Sequence, residues 1–500
     1  MTRSLLLLLS PFAVFAQQNV SVKGRLPELA GHEVYLEDAK HFRQLIKIDK
    51  QGNFALNARI DSGYYFIDKE LSLYLSPGMN FSVEGKSGNL QLLGKGADEN
   101  KLLTKIDLLS KKYFPEEGKD LHAQFNDIEP EEFITITDQF REEANAAVEK
   151  SSPNLSFIKT QKKHVDYLIK YYTHEYVQRY GISKEKEAEY YKLAQNLRPG
   201  ADATEVLFPA VNAMHTKKLP VEKAAQLQAL VWEDFDLNDA VLYSFSKQYR
   251  KLVSTRIECL RTAELIRSPY LKSKNQFEQR RDIVKQELKD GPVRDELLYQ
   301  NTLNLINGSA EDEKFLNDYV SLSKDSVYKN NLIKRFEKLK LVNPGNDAPQ
   351  FAYRDQRNKL VTSDDLKGNY VYINIWSSAL NASLQEIPFL KIIEKKYQNQ
   401  NIRFVNISVD IPEMKERWLK YVHTQYPSGT HLISDRDSRS EFIQAFGVNT
   451  FPRYILINPE GKIVLSNAPR PSSAKLQDTL DKILFNNLST CATCATKKEY

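Results

Sequence analysis

The sequence predicts a multidomain chain with an N-terminal all-β sandwich or barrel, an all-α middle and a C-terminal α/β domain. Residues 19–94 alternate apolar and polar positions between turn signals. Residues 98–341 repeat apolar positions at helical spacing, and from 342 onward strand patterns alternate with helical ones. The chain has 500 residues, 41% of them hydrophobic and 27% charged, which is the composition of a globular protein of about three domains at roughly 150 residues each. Lys and Arg number 70 against 65 Asp and Glu, for a net charge of +5. With no basic run interleaved with aromatics, this composition gives no nucleic-acid footprint.

The first sixteen residues read as a signal peptide. One basic residue, Arg3, precedes an apolar run too short to span a bilayer, and Val14-Phe15-Ala16 carries small residues where a signal peptidase cuts. The mature chain is expected from Gln17, exported to the periplasm or otherwise outside the cytoplasm. No Cys follows the apolar run, so lipidation at that point is not expected. No later run approaches ~18 apolar residues, so no transmembrane segment is expected.

Residues 17–97 form the predicted β domain. Strand patterns cover 20–26, 32–38, 45–48, 54–60, 71–75, 81–83 and 90–93, about seven in all. Phe54, Leu56, Ala58 and Ile60 share one face. Lys50-Gln51-Gly52-Asn53 reads as a hairpin turn and Ser76-Pro77-Gly78 as a second turn. Residues 98–341 form the predicted helical domain, with amphipathic stretches at 101–113, 131–150, 155–180, 240–266, 276–289 and 312–339. Breaks fall at Pro115, Pro153, Pro199-Gly200 and Gly291-Pro292. The stripe from Tyr167 to Tyr180 reads either as core packing or as a partner groove.

Pro344, Gly345 and Pro349 mark a linker into the last domain, residues 342–487. Its predicted order is a hairpin over 351–362, strand 370–376, helix 384–397, strand 402–409, helix 412–423, helix 438–446, strand 453–458, strand 462–466 and helix 473–485. Residues 488–500 form a tail.

The YVYINIW strand ends at Trp376, and Ser377 to Leu390 then turn into a helix carrying Glu386 and Pro388. Downstream stands Gly447-Val-Asn-Thr450-Phe451-Pro452. With Gly345-Asn-Asp-Ala-Pro-Gln-Phe351 and the Leu366-Lys-Gly368 lead-in, this order resembles the TlpA-type, AhpC/TSA-related thioredoxin-like domains of thiol-disulfide oxidoreductases. The β domain, with its turn before Phe54 and its Pro-Gly turn, resembles the one preceding such domains in exported proteins of Bacteroidetes-type bacteria. The resemblance implies a Cys-x-x-Cys pair after Trp376 and a cis proline at Pro452 facing it. Here the cysteine positions hold Leu380 and Ser383. Leu380 cannot become a thiolate, and a Ser hydroxyl needs an adjacent base to attack anything. Ser383 therefore reads as a hydroxyl that caps helix N–H groups. Glu386, which tunes the thiols in the active relatives, reads as a carboxylate favoured by the helix dipole. Asp410 reads as the cap of the helix at Pro412, and Trp418 as core.

Trp376, Glu386, Thr450, Phe451 and Pro452 are the candidate binding residues, for an extended peptide or protein segment added as a strand beside the cis proline. The chain has three Cys. Cys259, in a helical stretch, reads as a small buried hydrophobe. Cys491 and Cys494 form a C-x-x-C in the tail. Eight scattered His show no metal-ligand spacing, and no cofactor is expected. Three readings stay open. In the first, the protein is a non-catalytic binding or assembly module. In the second, it is an oxidoreductase acting through Cys491 and Cys494. In the third, that pair has a metal role, for which two thiolates supply half of a tetrahedral zinc site.

Overall fold

The computed structural model describes residues 19–68, 71–86, 89–114, 128–195, 203–308, 311–426 and 428–485. The expected signal peptide and the tail pair Cys491 and Cys494 lie outside the described residues. The chain folds as two compact units: residues up to Tyr180 with Lys218–Arg256, and Gly181–Lys217 with the residues from Ile257 onward. The predicted helical domain is therefore not a unit of its own, because its helices divide between the two.

In the first unit, eight strands form two four-stranded sheets. Strand Asn53–Ala58 pairs with Val20–Arg25, which runs parallel to Asn80–Lys86, and Asn89–Lys95 closes that sheet. The second sheet orders Arg43–Lys47, Glu33–Asp38, Gly63–Ile67 and Leu71–Leu75. Phe54, Leu56, Ala58 and Ile60 are all buried, as their shared face requires. Strand Gly63–Ile67 was not predicted, because GYYFI is a short apolar run without alternation. The 50–53 turn forms, with Asp49 accepting the Gln51 and Asn53 amides at 2.8 Å, but its flanking strands belong to different sheets. It is a crossing between sheets, not a hairpin within one.

Helices Ala97–Tyr113 and Leu155–Arg179 are tied to these sheets by specific polar contacts, and helix Pro130–Glu149 packs against both helices. Asn100 pairs with both backbone groups of Tyr74, and Gln161 Nε2 donates to Tyr64 Oη at 2.6 Å. Phe114 stacks on Tyr172, and Phe133 on Tyr176. Tyr167, Tyr172, Tyr176 and Tyr180 are buried, so the Tyr-rich stripe is core.

In the second unit a seven-stranded sheet runs in the order Leu360–Thr362, Ala352–Asp355, Thr430–Ile433, Ile402–Ser408, Tyr370–Trp376, Arg453–Ile457, Ile463–Leu465. The three middle strands 430, 402 and 370 are parallel, and Arg453–Ile457 is antiparallel to Tyr370–Trp376. Strand Thr430–Ile433 was not predicted from its four residues. Tyr372, Trp376, Leu390, Trp418, Leu456 and Leu480 belong to one buried cluster beneath helices Asn381–Lys396, Lys415–Thr424 and Ala474–Phe485. The stretch expected to be only a linker pairs with the sheet edge. The Gly345 amide donates to Ile463 O at 2.8 Å, and that of Ala348 to Gly461 O at 2.9 Å. Predicted helix 240–266 starts under an Asp239 cap and breaks at Ser246, whose hydroxyl accepts the Tyr249 amide at 3.2 Å, and 312–339 breaks at Ser323 to Asp325, where Asp325 caps the next helix. Cys259 is exposed, on the polar side of its helix, and is not the buried residue expected.

Candidate functional site

The antiparallel register pairs Ile375 with Arg453, and the parallel register pairs Trp376 with Ser408. This brings three loops to one end of the sheet: residues 377–380 after Trp376, Val409 and Asp410 after Ser408, and Thr450 to Pro452 before Arg453. Ligands of α/β sheets bind at such an end, beyond the carboxyl ends of the parallel strands.

The Phe451–Pro452 peptide is cis. Phe451 and Pro452 are half-buried and Thr450 is exposed, so all three can be reached. Gly447 opens the loop at φ +57°, a conformation that favours glycine.

Helix Asn381–Lys396 begins with Leu380 as its N-cap residue, which has no side chain able to cap. Leu380 is 41% exposed, whereas Ser383 is 1% exposed. The Ser383 hydroxyl accepts the Ser377 backbone N–H at 3.3 Å. It therefore ties the preceding loop to the helix, and the cap expected of it is corrected accordingly. The outward position is apolar and the inward one is engaged.

Asp410 is buried, and it too departs from expectation. It does not cap the turn at Pro412, whose start has no side-chain cap. Its carboxylate accepts from the Ser377 hydroxyl, from the Ser378 amide at 3.0 and 3.1 Å, and from the Ser408 hydroxyl at 2.9 Å. The loop after Trp376 is thus pinned from the neighbouring strand.

Two of the candidate binding residues face inward. Trp376 is fully buried and packs against Tyr421. Glu386 is buried and accepts from the Ser472 amide at 3.0 Å and hydroxyl at 2.8 Å, with Arg470 Nη1 3.7 Å away. It fixes the 470–472 loop, a role more specific than a favourable dipole contact. Burial, then the Glu386 charge, keeps the nearby Tyr454 phenol well above its ordinary pKa. Of the residues at this end of the sheet, Leu380, Thr450, Phe451 and Pro452 are accessible. Among the described residues, no group of three or more His, Cys, Asp or Glu could hold a metal, and no helix is long and apolar enough to cross a membrane.

Residues 343–483 match the Redoxin family. The thiol-disulfide oxidoreductase ResA of Bacillus subtilis is 28% identical over 124 residues, which are 25% of this chain and 66% of that protein. The ResA of Bacillus cereus is 24% identical over 149 residues, 30% of this chain and 83% of that protein. Among solved structures, one from Bacteroides vulgatus assigned to the thiol-disulfide oxidoreductases is 34% identical and covers 28% of this chain and 89% of its own, with a TM-score of 0.26. The similarity covers the C-terminal α/β region, and the match spans just under two thirds of the B. subtilis relative.

Proposed function

We propose that the Redoxin domain of this chain, whose homologues are thiol-disulfide oxidoreductases, is a binding module for an extended peptide or protein segment and not a dithiol catalyst at the usual place. The observation that supports this is the pairing of a cis Phe451–Pro452 loop with Leu380 and Ser383 at the helix start. Disulfide exchange needs an accessible thiolate and a resolving thiol. Leu380 offers an apolar surface in the first position, and the Ser383 hydroxyl is engaged by the Ser377 amide in the second. Strand addition beside Pro452 needs neither thiol, since backbone groups and apolar contacts carry it. Leu380 and Phe451 supply the apolar contacts. In the exported setting the sequence predicts, the segment bound belongs to another envelope or secreted protein.

A second reading has its own observation, the C-x-x-C at Cys491 and Cys494. In it, the tail pair exchanges with a partner's disulfide while the groove holds the partner. Insulin disulfide reduction with dithiothreitol as donor separates the two, using the protein and its Cys491→Ser/Cys494→Ser variant. Background turnover in both, together with binding of carboxymethylated insulin B chain that Phe451→Ser weakens, is the expected result. Turnover in the protein that disappears in the double variant would overturn the binding-only reading in favour of the tail.

A further inference from the structure

Immediately after Pro452 the chain buries an arginine. Arg453 is 8% exposed, and its Nη2 donates to Asn307 O at 3.3 Å. Arg335 Nε donates to the preceding carbonyl, Ile306 O, at 3.1 Å, and Ser466 Oγ to the following one, Gly308 O, at 3.3 Å. These carbonyls end helix Pro292–Leu305, where cations are favoured by the helix dipole. Asp312 stands by the same turn and accepts the Asn307 and Gly308 amides at 3.2 and 2.7 Å.

The local balance is positive. Asp312 acts on both guanidiniums, the phenol of Tyr299 on Arg335, and Arg335 on Arg453. Burial, reinforced by Arg335 and opposed by Asp312, pushes Arg453 down to about 10. Arg453 Nε and Arg335 Nη2 are both closed off from solvent, and neither has a hydrogen-bond partner among the described residues. Buried charged donors are normally paired, because water no longer solvates them.

We propose that this corner binds a halide-sized monoanion, chloride above all, between Arg453 Nε and Arg335 Nη2. Size follows from the number of free donors. Beside Arg335 the backbone is close: a Cβ on Gly447 would lie 3.0 Å from Leu339 Cδ2 and 3.2 Å from Arg335 Nη1. A phosphate or an organic carboxylate, with several acceptor oxygens, needs more donors than the two unpaired N–H groups supply. An anion there supplies the missing acceptor and the missing negative charge at once. Because Arg453 is adjacent to Pro452, occupancy also fixes the start of its strand and the loop before it.

The test is thermal unfolding of the purified protein in sodium chloride, bromide or gluconate at constant ionic strength. Chloride and bromide are expected to raise Tm by about 2–4 °C over gluconate, the shift of a ligand that stabilises a domain of this size. Arg335→Gln should abolish the difference. A Tm that follows ionic strength alone, the same for all three salts, overturns the site. Bromide-soaked crystals give the second measurement, which does not depend on a variant folding. An anomalous peak touching both guanidiniums supports the proposal, and ordered water alone at that position refutes it.

Discussion

Both carboxylate oxygens of Asp410 accept the backbone N–H of Ser378, joining the loop beyond one strand to the end of its neighbour. The same carboxylate takes the hydroxyls of Ser377 and Ser408. Buried donors that lose a charged acceptor keep the full cost of desolvation. Asp410→Ala is therefore expected to lower unfolding stability by about 2–4 kcal/mol. Urea unfolding checks this: the midpoint should fall while the slope with denaturant stays unchanged. An unchanged midpoint would mean that the loop is held by other contacts.

Asn100 makes a comparable tie in the first unit. Its side chain accepts from the Tyr74 amide at 2.8 Å and donates to the Tyr74 carbonyl at 2.9 Å, extending the edge of the sheet by one residue's worth of pairing. Nε and Oε geometry in Gln would displace both bonds, and Leu would remove them. Asn100→Leu should cost about 2 kcal/mol or more, because two buried backbone groups are left unpaired. Unfolding of the variant by circular dichroism should show the loss, and hydrogen exchange at the Tyr74 amide should quicken.

Asn100 and Asp410 also show where sequence reading stops. The strand ending at Trp376, the turn before Phe54 and the cis proline could be read because each depends on local patterns: alternation, turn residues and motif order. Sheet membership could not be read, since the residues at 50–53 form the same turn whether the strands beside them share a sheet or leave it. Partners distant in sequence were equally hidden. Glu386 meets Ser472 and Asp410 meets Ser378, and a carboxylate's composition says nothing of which amide it will find. A signal for Arg453 did exist: an arginine opening an otherwise apolar RYILI strand demands buried partners.

His431 gives the domain an acid-sensitive element. Burial pushes its imidazole down to about 4, opposed by the hydrogen bond to the Ser428 carbonyl. The unfolded chain takes up that proton near pH 6.5, whereas the folded one resists until about 4. Stability is thus full above pH 6.5 and falls as pH drops through the window to 4, by up to roughly 3 kcal/mol. Glu394, raised by burial despite its bonds from Tyr426 and Ser428, has the opposite slope, losing stability as pH rises through its own titration. His164 in the other unit, also lowered to about 4, adds a slope of the same sign as His431. The comparison of His431→Gln with the parent isolates one group. The variant's stability should decline less steeply between pH 6.5 and 4, as measured by urea unfolding at each pH.

The scaffold around Leu380 and Ser383 retains what a thiol pair would require. Position 380 is exposed at a helix N-terminus, where the dipole lowers a thiol's pKa, and position 383 lies one turn in and buried. The cis Phe451–Pro452 loop stands at the same end of the sheet. The Leu380→Cys/Ser383→Cys variant is therefore expected to reduce insulin with dithiothreitol at least tenfold faster than the parent. The rate of alkylation of the outer thiol against pH should place its pKa below the ordinary value of about 8.5. The tail cysteines are replaced by Ser in both proteins, so that only the rebuilt pair is read. If the variant folds with the parent's circular dichroism yet stays at background, more than the two thiols separates this chain from catalysis, and the loop pinned by Asp410 is the place to look.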